Sequence, residues 1–205
     1  LFESGQIAEV FTRFLADNPR VTLELVVTPR RVDPVAEGID LAIRVRSRAE
    51  EDPQWAIRRL QRARGILVAS PALVATCGGL TTPESLREVP ALGSMDPDRR
   101  VHWHLESGDG RSIEVAAPAR LSCDNFALRL RAAIAGLGVT MLPDDYVADA
   151  LADGRLVRVL PDWDMPAGTL QVVYPTQRGM PVAVRALLDA MVAAYRPGPE
   201  VDALR

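Results

Sequence analysis

Between Asn125 and Pro143 the chain changes period within three residues, and that change limits what it can fold into. Apolar residues from about Asn125 to Ala135 recur at helical spacing, whereas Val139 to Leu142 is a short apolar run of strand length. Only Gly136-Leu137-Gly138 separates them. A helix stopped by a glycine in the left-handed region and followed at once by a buried strand belongs to a layered α/β protein. The glycine pair also invites a nucleotide-loop reading, but a dinucleotide fingerprint runs strand, glycines, helix. Here the order is reversed and Met141 stands at the third glycine position, so the pair reads as a helix stop and a turn.

The same alternation runs along the chain. Ile7, Val10, Phe11, Phe14 and Leu15 predict an amphipathic helix ended by Asn18-Pro19. Val21, Leu23, Leu25 and Val27 alternate as a strand, and a helical turn through Pro34 to Glu37 closes at Gly38. Ile39 to Val45 and Ile66 to Ala69 read as buried strands. Ser70-Pro71 and Thr82-Pro83 are helix starts. Val101 to Leu105 and Ile113 to Val115 form a hairpin about Gly108-Asp109-Gly110. Helices are expected over about Asp144 to Leu151 and Val182 to Tyr195, and strands over Leu156 to Leu160 and Leu170 to Tyr174. The expected sheets are mostly parallel. Ser70-Pro71 and Tyr174-Pro175 each end an apolar strand with a ladder-stopping proline, marking off an insert of domain size.

With 205 residues, 48% apolar and 25% charged, the chain can bury a sizeable core. A net charge of -3 disfavours a surface built to track nucleic-acid phosphates. All 24 basic residues are arginine. Cys77 and Cys123 lack close partners and read as free thiols. No run approaches the ~18 apolar residues of a membrane span, and no leader pattern precedes Ile7. The opening at Leu1 reads as that of a fragment of a longer, cytoplasmic protein.

Candidate chemistry is sparse. His102 and His104 share one strand face with Glu106, yet no third ligand follows at metal spacing, so no metal is expected. Neither G-x-S-x-G, a Walker loop nor H-E-x-x-H occurs. Ser122-Cys123-Asp124-Asn125 reads as a helix start capped by Asp124 or Ser122, which could also receive an anion. Arg58, Arg59, Arg62 and Arg64 read as a solvated face offset by Glu50, Glu51 and Asp52. Arg44, at the end of an apolar strand, is either paired structurally or presented to an anionic ligand.

Taken together, FTRFLADNPRVTLELVVTPRRVD, AEGIDLAIRVR, ILVASPALVATCGGLTTPESL, WHLESGDGR, LSCDNFALRLRAAIAGLGVTMLPDDYV, LADGRLVRVLPDWDMP and LQVVYPTQRGMPVAVRALLDAMV resemble the effector-binding domain of LysR-type transcriptional regulators, in family order over nearly the whole chain. The resemblance implies a two-lobed α/β fold like type II periplasmic binding proteins, each lobe a mixed sheet flanked by helices, with two crossover strands. Residues 1–69 plus 176–205 would form one lobe and 70–175 the other. It implies a small-molecule effector in the interlobe cleft, anionic or polar, and no cofactor. The site residues it points to are Arg44, Val45, Arg46, Ser70, Asp124, Asn125, Gly138, Met141 and Pro143. It implies a homodimer or tetramer, with the Ile7–Leu15 helix against a partner's Asn125–Ala135 helix. DNA contact would come only through a winged helix-turn-helix that these residues do not contain, and no membrane is involved. The family's first strand, before the first helix, is not clearly supplied by Leu1 to Ser4. A transport solute-binding protein, or less readily an enzyme on the same scaffold, is the alternative.

Overall fold

The computed structural model describes residues 5–28, 33, 36–46, 55–176 and 179–195. The opening Leu1 to Ser4, the start of the turn at Pro34 and the acidic run Glu50 to Asp52 lie outside them. The chain divides into two compact units, 1–63 with 168–205 and 64–167. Both joins fall earlier than the Ser70-Pro71 and Tyr174-Pro175 junctions, because strand pairing decides to which unit each connecting strand belongs.

In unit 1, α1 (Gly5–Asp17) ends at Asn18, whose side chain donates to Phe14 O at 2.8 Å. Its Ile7, Phe11 and Phe14 are buried with Leu187, Leu188 and Met191 of α5 (Val182–Ala194). The helices cover a three-stranded antiparallel sheet of β1 (Ala42–Arg46), β10 (Gly168–Pro175) and β2 (Trp55–Ala63), with β10 central. β2 carries the arginine run. Arg58, Arg59 and Arg62 are exposed and Leu60 is buried, with a register shift opposite Leu170/Gln171. The alternating segment Val21 to Val27 joins no ladder, and Leu25, Val26 and Val27 are exposed. Alternation suits a pleated surface, but a strand also needs a neighbour for its N–H and C=O groups, and the described residues provide none.

Unit 2 is built on a seven-stranded sheet ordered β8 (Val157–Arg158), β3 (Gly65–Ala69), β7 (Val139–Pro143), β4 (Ala91–Gly93), β6 (Ser112–Ser122), β5 (Arg100–Ser107) and β9 (Trp163–Asp164). Only β4–β6 and β4–β7 are parallel, so the expectation of mostly parallel sheets gives way to a mixed one. The long hairpin β5–β6 and the return of β3 along β7 account for the antiparallel pairs. α2 (Pro71–Thr76) begins at Ser70, whose hydroxyl accepts from Leu73 N, and a 3-10 turn occupies Pro83–Glu88. α3 (Phe126–Ile134) and α4 (Ala148–Ala152) flank β7 in sequence. α4 is shorter than expected because residues 144–147 form turns.

The junction at the glycine pair follows the spacing. Gly136 has φ +75°, and Gly136 N and Leu137 N bond to Ala133 O and Ala132 O. Gly138 serves contact instead: a Cβ there would lie 2.5 Å from Pro90 O. The neighbouring Val139 N donates to that same oxygen at 2.8 Å.

Candidate functional site

Because β4, β6 and β7 point the same way, their C-terminal ends deliver three loops to one edge of unit 2. Ligands of α/β proteins bind outside such ends. The loops are tied together. Cys123 N bonds to Gly93 O at 3.2 Å, Met95 N to Ser122 Oγ at 3.1 Å, and Ser94 Oγ donates to Asp124 Oδ1. The cap of α3 is Asn125, whose Oδ1 accepts from Leu128 N at 2.7 Å, and not Asp124 or Ser122. Ser122 Oγ and Asp124 Oδ1 are already engaged by the preceding loop. Asp124, Asn125, Met141 and Pro143 therefore gather at this edge.

Ser70 and Gly138 do not. β3 runs antiparallel to β7 with Gly65 opposite Pro143, which carries Ser70 and Gly138 to the other end of the sheet. Five residues of strand, about 16 Å, separate Gly138 from Pro143. There Ser70 caps α2 and its Oγ lies 3.3 Å from where a Cβ on Gly136 would sit. Arg44, Val45 and Arg46 belong to unit 1, half-buried on β1 opposite Gln171, Leu170 and Thr169 of β10.

The spacing of α3 held one further signal. Arg129 stands at the i–3 and i–4 positions from Ala132 and Ala133, on the buried stripe, and is 5% exposed. Its Nε donates to Thr140 Oγ1 at 3.1 Å, Nη2 to the Met141 carbonyl, and its guanidinium lies 5.6 Å from the centre of the Phe126 ring. Burial pushes its pKa down, and the nearby Cys123 and Asp124 pull it back up. A charged residue in phase with a helix's core face is legible in a sequence from its spacing to Ala132 and Ala133.

The histidine face is engaged internally. His102 Nδ1 and Nε2 each lie 2.9 Å from a carboxylate, of Glu114 and Asp98. These hydrogen bonds raise the His102 pKa, Asp98 contributing most, and hold that of Asp98 low. Among the described residues no grouping of three acidic, His or Cys side chains could hold a metal. Cys77 and Cys123 are free thiols. No helix among the described residues is long and apolar enough to cross a membrane.

The family model of the LysR substrate binding domain matches residues 1–196. The transcriptional regulator PtxR of Pseudomonas aeruginosa is 30% identical over 190 residues, covering 93% of this chain and 60% of its own length. This chain thus spans about three fifths of that relative. Among solved structures, the regulatory domain of AphB from Vibrio vulnificus, in its C227S variant, superposes with a TM-score of 0.76 at 26% identity, covering 91% of this chain and 92% of that one. Full-length AphB of Vibrio cholerae gives 0.76 at 24% identity, covering 95% and 65%. These domains share the two-lobed fold of periplasmic binding proteins, and with that fold and that match the chain belongs to the LysR substrate-binding domain family, the effector-binding part of LysR-type transcriptional regulators.

Proposed function

We propose that this chain senses a small anionic or polar molecule on behalf of a bacterial transcription regulator and has no catalytic activity of its own. The family match over 1–196 carries the reading. The lobes correspond to the two units, 1–63 with 168–205 and 64–167. The candidate effector contacts are Arg44, Val45 and Arg46 on β1 of unit 1 and Asp124, Asn125, Met141 and Pro143 at the strand-end loops of unit 2. Ser70 and Gly138 support the scaffold. The whole regulator works in the cytoplasm as a homodimer or tetramer and contacts DNA through a domain outside these residues.

The assembly surface is α1 of one copy against α3 of another. α1 exposes Glu9, Arg13 and Asp17 along a groove of about 430 Å³ shared with α5, while α3 exposes Leu128 and Arg131. The two acidic residues of the α1 face and the exposed Arg131 of α3 are opposite in sign, which favours their apposition. Effector binding shifts the equilibrium between arrangements of the assembly, and the DNA-binding part reads the shift.

The test is a thermal-shift screen of the chain over organic acids, amino acids and neutral metabolites, with operator binding by the whole regulator at physiological salt. A ligand selective for the folded state raises the midpoint. Absence of sequence-specific DNA binding by the whole regulator refutes the proposal.

A further inference from the structure

Arg129 is a cation buried where an apolar side chain would continue the Ala132–Ala133 stripe. Helical side chains lean toward the N-terminus of their helix. From the first turn of α3, the guanidinium therefore reaches back to the loops that precede it. There every acceptor it meets is neutral: the Thr140 hydroxyl, which itself donates to Leu92 O at 2.8 Å, the Met141 carbonyl, and the face of Phe126. Among the described residues Nη1 has no hydrogen-bond partner and no carboxylate pairs with the group. Asp124 lends a favourable field, but its Oδ1 is held by Ser94. A buried charge without a counterion opposes folding, and an apolar residue of similar volume removes that cost. Retaining the charge is favourable where a counterion arrives with a ligand.

We propose that Arg129 is the anion-recognising group of the unit 2 effector site, and that a small organic carboxylate at the strand-end loops takes the Nη1 donors and supplies the missing countercharge. A single-charged carboxylate fits better than a phosphate dianion, because the field of Asp124 opposes the second charge. The inference rests on the reading of the chain as an effector-sensing domain. It adds the charge of the effector and the residue that reads it.

The experiment measures the thermal midpoint of the 205-residue chain against benzoate, succinate, inorganic phosphate and a panel of neutral metabolites. It is repeated for Arg129→Met, Arg129→Gln and Arg129→Lys. The expected result is stabilisation of the wild type by benzoate or succinate. R129M without ligand then melts at or above the wild type, and its apparent affinity for that carboxylate falls roughly tenfold or more. R129K retains part of the response, and R129Q reports the loss if R129M does not fold. Equal stabilisation of wild type and R129M overturns the role of Arg129 and leaves the sensor reading standing. Stabilisation by neutral metabolites alone, or by phosphate alone, likewise overturns the carboxylate assignment while sensing survives. No stabilisation of the wild type by any compound sinks both.

Discussion

The two units solve the burial problem differently. In unit 2 the sheet has an apolar layer on each face. Leu67 and Ala69 of β3 pack with Trp103, Leu105 and Val139, while Ile66 and Val68 between them pack with Leu92, Leu142 and the alanines of α3. In unit 1 the single cluster lies on the helix side: Ile43, Val45, Leu170 and Val172 meet α1 and α5. Their neighbours on the opposite face include Arg44 and Gln171. A strand buried on both faces is apolar throughout, and one buried on a single face alternates. β3 is the first case; β1 has the alternating sequence of the second, with all five of its residues half-buried. The difference predicts unequal stability, since β1 pairs on one side only among the described residues.

Core truncation is the strongest way to test that inequality. Leu67→Ala and Leu60→Ala each remove a side chain at most 1% exposed and should cost about 2–5 kcal/mol in urea unfolding. Native-state hydrogen exchange separates the units: amides of β3, β4 and β7 should exchange slowest, and Leu60→Ala should accelerate unit 1 while leaving unit 2 protected. Uniform acceleration by both variants would show one cooperative block and break the comparison. The next effect is confined to unit 2. Gly138→Ala drives a Cβ to 2.5 Å from a backbone oxygen that is itself held in the β4–β7 pairing, so about 1–3 kcal/mol should be lost. Gly136→Ala, which meets a φ of +75° and only the movable Ser70 hydroxyl at 3.3 Å, should cost about 1 kcal/mol. The reverse order of the two losses would show that the approach to Pro90 is slack.

Unit 1 should also hold a weakness that substitution can remove. Gln171 is 5% exposed and its Nε2 is buried without a hydrogen-bond partner. Gln171→Met keeps the length of the side chain and removes the orphaned donor, so stability should rise by about 1 kcal/mol. A drop in the urea midpoint would mean that the amide is satisfied in solution.

How far the sequence revealed this molecule follows the same divide. Elements with one strong periodic signal were legible: α1, α3, α5, the β5–β6 hairpin, and the helix-to-strand switch at Gly136 all stand where spacing places them. β2 was hidden because Arg58, Arg59 and Arg62 around a single buried Leu60 look like a charge run, and a register shift spoils the alternation. The Val21 to Val27 segment failed in the opposite sense, since its pattern is local but pairing is not. At the candidate site, the resemblance pointed to Asp124, Asn125, Met141 and Pro143, which the fold brings to one edge of unit 2. Ser70 and Gly138 came with them because sequence adjacency to a strand does not say at which end of the sheet a residue sits. Arg129 was missed for want of asking which face of α3 it occupies.

The smallest expected effect lies on the outer hairpin of unit 2, away from both cores. His102 faces Asp98 from the preceding turn and Glu114 from β6; Asp96 adds to the negative field, and His104 lies 3.8 Å from Glu114. The folded-state pKa of His102 is raised above 6.5, so its contribution is complete below that value and fades as pH rises through the raised one. Asp98, lowered from 3.8, contributes above that value and loses its share as pH falls through the lowered one. The hairpin should therefore be most stable in mildly acidic solution, and the midpoint should decline gently from there toward alkaline pH. His102→Gln should flatten the alkaline-side decline, and proton titration by NMR should place His102 above the ordinary histidine value. If His102→Gln leaves the slope unchanged, the pH dependence originates elsewhere and the outer hairpin is indifferent to it.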